Sequence, residues 1–270
     1  MRSIILHIGT DESFEARFQV ALDLARACGG KLTCIQPIVQ FWAAPGDLYG
    51  MTSAELMPVL LDNAREQQRR IEERLANGGV AWTWVQDMDA AGNMLLAYAA
   101  LSDLLVVGTR DPLGGTGVST LAGQLALHAR TPVLAVPPGC DGFDPATPAI
   151  VAWNGSPESS HALRAAVPLL KRASSVELVS VEEAREAREY DLPSTDGAEY
   201  LARHGIACDL VQIPTQGGST TDTLRQTLEA RKAGYVVMGA YGRSRLREII
   251  FGGMTRGLLA DTPVPLFLCH

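Results

Sequence analysis

Val237-Met-Gly-Ala-Tyr-Gly-Arg-Ser-Arg-Leu-Arg-Glu-Ile-Ile-Phe-Gly-Gly-Met-Thr-Arg256 is the stretch from which the rest of the chain is read. Gly239 closes the buried-strand run Tyr235–Met238, and Gly242 follows three residues on. Gly252-Gly253 comes after nine intervening residues, just ahead of a helix-like run from Thr255 to Ala260. Glycine at a strand end lets the chain turn sharply and lets a ligand approach the backbone. Glycine at a helix start leaves unpaired N–H groups to face an anion, with the helix dipole favouring negative charge. The spacing is neither a dinucleotide fingerprint nor a Walker A loop, both of which set their glycines closer together. A glycine loop between a buried strand and a helix predicts an open parallel α/β sheet, whose ligands bind beyond the strand C-termini.

Working outward, the same ending occurs twice. Gly108 closes Leu104-Leu-Val-Val as Gly239 closes Tyr-Val-Val-Met, and Thr131-Pro132-Val133 matches Thr262-Pro263-Val264. Both pairs share an offset of 131 (239 − 108 and 262 − 131). So long a period means duplicated domains and not a solenoid. Apolar runs at Ile4–Ile8, Leu32–Ile38, Val80–Val85, Leu104–Val107 and Val133–Val136 give the first half five strands. Ala149–Trp153, Val176–Val181, Ile206–Ile213, Tyr235–Met238 and Val264–Leu268 give the second half five more. Between them lie helical patterns such as Glu12–Ala27 and Ser159–Lys171, with apolar residues at three- and four-residue spacing. The Pro- and Gly-rich stretch Pro137 to Pro145 propagates neither helix nor strand and reads as a linker. The predicted domains are therefore 1–139 and 147–270. The first half also carries an extra stretch from Phe41 to Pro58, with Trp42, Pro45, Gly46 and Tyr49, ahead of a helix over Val59–Leu75. That stretch either covers a pocket or packs over its own domain's edge. The corresponding segment of the second half, Glu182 to Gly205, is shorter.

Composition narrows the partners. The 270 residues suit two ordinary domains. A net charge of −7 argues against a nucleic-acid surface, which needs clustered Lys and Arg. No apolar stretch approaches the roughly 20 residues that span a bilayer, so no membrane partner is expected. The run Ile4-Ile5-Leu6 is too short for a signal peptide. Five scattered cysteines without Cys-x-x-Cys spacing point to reduced thiols in the cytoplasm.

The composite Gly239-x2-Gly242-x9-Gly252 resembles the ATP-binding signature of universal stress proteins. The resemblance extends to Val151-Ala-Trp-Asn-Gly-Ser-Pro-Glu-Ser159 at the first strand-to-helix turn and to Thr262-Pro263-Val264 before the last strand. It implies two tandem Rossmann-like, flavodoxin-like α/β domains, each a five-stranded parallel sheet of order 3-2-1-4-5 between helices. It also implies an intramolecular pseudo-dimer joined through the last strands, with a further homodimer as an additional assembly. The implied ligand is ATP or a related adenine nucleotide, carried with or without Mg, acting as a regulatory ligand in a cytoplasmic stress-response protein with a protein partner the sequence does not name. By that resemblance Ala152, Trp153 and Asn154 lie against the adenosine and Val181 contacts adenine. Met238, Gly239 and Gly242 shape the phosphate loop with Arg243. Gly252, Gly253, Met254 and Thr255 offer N–H groups, and Thr255 a hydroxyl, to the phosphates. Two residues depart from the family pattern. Gly253 stands where the family has Ser or Thr, and neutral Asn154 stands where it has Asp. Arg243, Arg245 and Arg247 either favour phosphate electrostatically or form a solvated loop with Glu248 as local partner.

The first half fails the same test. After Gly108 come Asp111 and Pro112, and the offset places Leu121 and Ala122 where Gly252 and Gly253 stand. An acid repels phosphate, and two side chains replace glycines needed for close approach. Gly114-Gly115-Thr116-Gly117 is out of register and reads as a flexible turn. This half is therefore a degenerate structural or regulatory partner. Nothing in the sequence forms a catalytic acid–base pair or a metal-ligand set. His7 is a core or crevice residue, His161 decorates its helix, and Ser156 reads as a helix N-cap with Pro157 at the first helical position. Two rivals remain: an interaction protein that binds no nucleotide, and a slow ATPase for which Glu248 and Asp261 are the nearby acids.

Overall fold

The computed structural model describes residues 1–38, 51–110, 119–182, 191–215, 218–242 and 253–270, leaving aside the side chains of 51–56 and 182. Ten strands form one continuous sheet: β1 (Ser3–His7), β2 (Lys31–Pro37), β3 (Ala81–Asp87), β4 (Leu104–Gly108), β5 (Val133–Val136), β6 (Ala149–Ala152), β7 (Val176–Glu182), β8 (Asp209–Pro214), β9 (Tyr235–Gly239) and β10 (Leu266–Cys269). Their order is β3-β2-β1-β4-β5-β10-β9-β6-β7-β8, so each half has the order 3-2-1-4-5. Pairing is parallel within each half. At the centre β10 runs antiparallel to β5, with Leu266, Phe267 and Leu268 opposite Ala135, Leu134 and Val133.

The central strands are short apolar runs because both their faces are covered. One face carries α1 (Phe14–Cys28), α2 (Met51–Ala76), α5 (Pro157–Leu170) and α6 (Ser194–Arg203), whose apolar residues share a core with Ile4, Leu6, Val151 and Val237. The other carries α3 (Ala91–Ala99), α4 (Thr120–His128), α7 (Thr220–Ala230) and α8 (Gly253–Ala260), packed on Ile5, Val107, Ile150 and Met238. Each of these two cores contains residues from both halves, so the central β5–β10 pairing is part of the core and not a surface contact between finished domains.

Local chemistry sets the helix ends. In α5 Ser156 is the N-cap, its hydroxyl accepting from the Ser159 amide, and Pro157 occupies the first turn, as the sequence predicts. Helix α1 stops at Gly29, whose φ of 60° turns the chain so that the Gly30 amide reaches back to the Ala25 carbonyl at 2.8 Å. Two expectations are corrected. Helix α2 begins at Met51 and continues through Pro58, so residues 51–58 belong to the helix and not to the extra loop. Proline has no N–H to donate, which is why the sequence alone suggests a stop there. Trp42, Pro45, Gly46 and Tyr49 lie outside the described residues. Ile206 precedes β8: its amide closes the end of α6 on the Leu201 carbonyl, and the strand begins at Asp209. The linker is anchored, since Phe143 is buried against the Tyr235 ring at 5.3 Å and its amide donates to Asp23 on α1. Among the described residues no helix is long and apolar enough to cross a membrane.

Candidate functional site

In the second half the strand order reverses between β6 and β9, where the crossovers from β6 and from β9 leave in opposite directions. Such a point leaves a crevice at the strand C-termini. Here it holds about 1110 Å³, ample for a nucleotide-sized ligand. Its walls include Ala152, Trp153, Asn154, Val181, Met238, Gly239, Gly242, Gly253, Met254 and Thr255. Residues scattered over a hundred positions of sequence are thus brought to one opening. Arg243 and Gly252, named with them from the sequence, lie outside the described residues, as do Arg245, Arg247 and Glu248.

The reasons for these residue types differ from those the sequence suggests. A Cβ at Gly239 would stand 2.6 Å from the Glu158 carbonyl carbon and from the Ser159 amide. Gly239 is therefore required by the first turn of α5 pressing on β9, whatever occupies the crevice. Gly108 makes the matching contact, its Cβ position lying 2.7 Å from Ser13 Cβ on α1. Trp153 is buried at 5% exposure, with its ring in the core against α6. Its indole N–H donates to the Leu192 carbonyl at 3.2 Å. Asn154 is exposed, and its Oδ1 accepts from the Ser156 amide at 3.2 Å, which fixes the β6–α5 turn. Gly253 is the first residue of α8, and a Cβ there would meet nothing within 4 Å. Gly253, Met254 and Thr255, the first turn of α8, line the crevice, which places the N-terminus of this helix at its wall.

Several wall residues carry no motif signal. Glu158 is buried, and its Oε2 lies 3.9 Å from the Cβ position of Gly242. Tyr241 lines the crevice between two glycines with φ 56°, a left-handed conformation rare for a bulky residue, and burial pushes its hydroxyl up to about 12. Asp191 and Leu192 come from the segment before α6, and Gln212 from β8. Only the turn between the glycines gave any hint of Tyr241. Asp191 and Gln212 reach the crevice through topology alone.

The first half differs at the equivalent place. Arg17, fully buried on α1, donates to the His7 carbonyl at 2.8 Å and grips Asp11 with two hydrogen bonds of 2.6 and 2.7 Å. The exposures of the two side chains are 0% and 3%. The guanidinium lies between the ends of β1 and β4, 2.8 Å from the Cβ position of Gly9 and 3.1 Å from that of Gly108. Gln67 of α2 donates to the Gly9 carbonyl at 2.8 Å and accepts from Gln36 at 2.9 Å. Helix α4 is capped by its own Ser119, whose hydroxyl accepts from the Ala122 amide, and Leu121 and Ala122 are buried. Own side chains thus fill this strand-end position, a plug the sequence did not signal. Asp111, Pro112 and Gly114–Gly117 lie outside the described residues. His7 is buried in the same cluster; burial first and Arg17 second hold its imidazole down at about 3, so it is neutral at any ordinary pH.

The acids considered for catalysis do not converge. Asp261 is exposed, pairs with Arg225 at 3.5 Å and does not line the crevice. Among the described residues no three His, Cys, Asp or Glu side chains are grouped to hold a metal ion.

Comparison with known proteins agrees with this architecture. A universal stress protein from Archaeoglobus fulgidus superposes with a TM-score of 0.72 at 15% identity, covering 98% of this chain and 97% of that one. A putative universal stress protein from Pseudomonas aeruginosa superposes with a TM-score of 0.57 at 18% identity, covering 100% and 93%. At these identities the likeness concerns the fold. No curated protein matches the chain significantly. The model of the universal stress protein family matches twice, over residues 1–137 and 147–270, and the chain therefore belongs to the universal stress protein family.

Proposed function

We infer that the second half, residues 147–270, binds ATP or a related adenine nucleotide as a regulatory ligand, while the first half, residues 1–139, serves as its structural partner. The observation that carries this reading is the contrast between the two strand-end positions. One is an open crevice of about 1110 Å³ whose wall includes Gly253, Met254 and Thr255 of the first turn of α8. The other is filled by Arg17, Asp11 and Gln67, beside a helix capped by Ser119. Helix N-terminal amides and the dipole favour a phosphate group at the first, whereas at the second Ser119 already takes the Ala122 amide and the Arg17–Asp11 pair occupies the strand ends.

Glu158 bears on the form of the nucleotide. A buried carboxylate beside the Gly242 turn repels a bare polyphosphate, and a divalent cation arriving with the nucleotide offsets that repulsion. The ligand is accordingly taken as nucleotide with Mg²⁺, the metal travelling with it and not resident in the protein. The same carboxylate, with neutral Asn154 and Gly253, is what favours the second reading, an interaction protein without nucleotide. A slow ATPase has the least support, since Asp261 is engaged with Arg225 outside the crevice. The cytoplasm is the proposed setting, in keeping with five free cysteines.

Calorimetry with ATP, in the presence and absence of Mg²⁺, tests the reading. A single site per chain that strengthens with Mg²⁺ supports it. No heat at millimolar nucleotide under either condition favours the interaction protein.

A further inference from the structure

The crevice has two ends with different chemistry. At the Gly242–Gly253 end are helix amides and the Glu158 carboxylate. At the Asn154 end no residue of the β6–α5 turn, 153–156, carries a charged side chain. Asn154 is neutral, and its Oδ1 accepts from the Ser156 amide. A ligand hydroxyl that must donate finds no charged acceptor on that turn.

A charged acceptor is supplied by a strap from elsewhere in the chain. The Leu192 amide donates to the Gly155 carbonyl at 2.9 Å, and the Trp153 indole donates to the Leu192 carbonyl at 3.2 Å. These two bonds tie residues 191–193 across the β6–α5 turn. Gly155 makes the closeness feasible: its φ is 74°, and a Cβ there would lie 2.7 Å from the Leu192 nitrogen and 3.1 Å from the Asp191 carbonyl carbon. The strap puts Asp191 in the crevice wall, and among the described wall residues the only other acid is Glu158, near Gly242. A carboxylate accepts from two adjacent hydroxyls at once, and hydrogen bonds to charged groups are the stronger kind.

We propose that Asp191 is the specificity-determining residue of this site, reading the vicinal hydroxyls of a ribose, with Gly155 and Trp153 as the positioning residues that hold it there. The inference rests on the nucleotide reading above and deepens it. It assigns the nucleoside to the strap end and the phosphates to the α8 end. It also makes the ligand a ribonucleotide and not a deoxynucleotide.

The experiment compares ATP with 2′,3′-dideoxy-ATP, both with Mg²⁺, by calorimetry on the full chain, its Asp191→Ala variant and its Gly155→Ala variant. The unaltered chain is expected to prefer ATP by ~10-fold, the loss of roughly one charge-assisted hydrogen bond. In Asp191→Ala the preference collapses toward one while the affinity for the dideoxy compound stays the same. Gly155→Ala, which displaces the strap while leaving the Asp191 carboxylate in the sequence, lowers the preference in the same sense, and a folding monitor by thermal melting accompanies each variant. A purely structural role for Asp191 would weaken both nucleotides alike and leave their ratio intact. That result, or an unchanged ratio, overturns this inference and leaves the nucleotide reading standing. If the unaltered chain binds neither compound, both are overturned together.

Discussion

Placing a serine at Gly253 adds one hydroxyl at the start of α8. The site accepts the change on both steric and conformational grounds. A Cβ there meets nothing within 4 Å, and Gly253 is not among the glycines with positive φ. Serine is also a residue that helix N-termini favour. If phosphates lie over the first turn of α8, the new hydroxyl donates to an anionic oxygen, a bond contributing about 1.5–3 kcal/mol. Fixing the serine rotamer takes back a part of that, of order 0.5–1 kcal/mol. The net is about 1.4 kcal/mol, or roughly tenfold tighter binding. Because the glycine-to-serine change also restricts the unfolded chain, the melting temperature of the free protein should hold or rise slightly. Parallel calorimetry with Mg-ATP on both proteins is the assay. A variant that melts normally and binds no more tightly refutes the reasoning, because it means that no phosphate faces this turn.

The other predictions concern the frame that holds the site. Arg17→Met leaves Asp11 buried without its cation and should cost about 3–5 kcal/mol by urea unfolding; a loss below 1 kcal/mol would mean the plug contributes nothing. His7 stays neutral in the folded chain down to about 3, whereas in the unfolded chain it takes up a proton below about 6.5. Its contribution is therefore complete above pH 6.5 and is lost on acidification toward 3, by at most about 1.4 kcal/mol per pH unit. Asp11, whose carboxyl burial alone would raise but Arg17 holds low, keeps its contribution above its unfolded value near 3.9 and loses it only in stronger acid. His7→Asn should therefore flatten the stability–pH curve between 6.5 and 4, and an unaltered slope would contradict this. Phe267→Ala, at the fully buried junction of β10 and β5, should cost about 3–5 kcal/mol. It should lower a single unfolding transition shared by both halves; two separate transitions, only one of them shifted, would show that the halves fold independently.

Much of the architecture was legible because buried parallel strands and amphipathic helices leave periodic signals, and because the offset of 131 between Gly108 and Gly239 exposed the duplication. The boundaries that shifted did so for local reasons: Pro58 tolerated inside α2, and Ile206 buried in a turn and not a strand. At the crevice, residues carried by a motif were legible, but the physical cause of Gly239 was not. A glycine excluded by a neighbouring helix and a glycine cleared for a ligand look identical in sequence, and only the 2.6 Å approach of Glu158 and Ser159 tells them apart. Asp191 and the Arg17–Asp11 plug were not legible because they depend on contacts between segments brought together by the fold. Arg17 looked like one more charge on a helix, and only its complete burial reveals it as a filler.

The central claim is that one strand-end position of this chain is open to nucleotide and the other is filled from within. Crystals soaked in Mg-ATP test it most directly. The account predicts difference density for one nucleotide in the crevice between β6 and β9, its phosphates over Gly253 and its ribose beside Asp191, with Arg17 still bound to Asp11. Density between β1 and β4 with the Arg17–Asp11 pair displaced, and an empty second crevice, would contradict it.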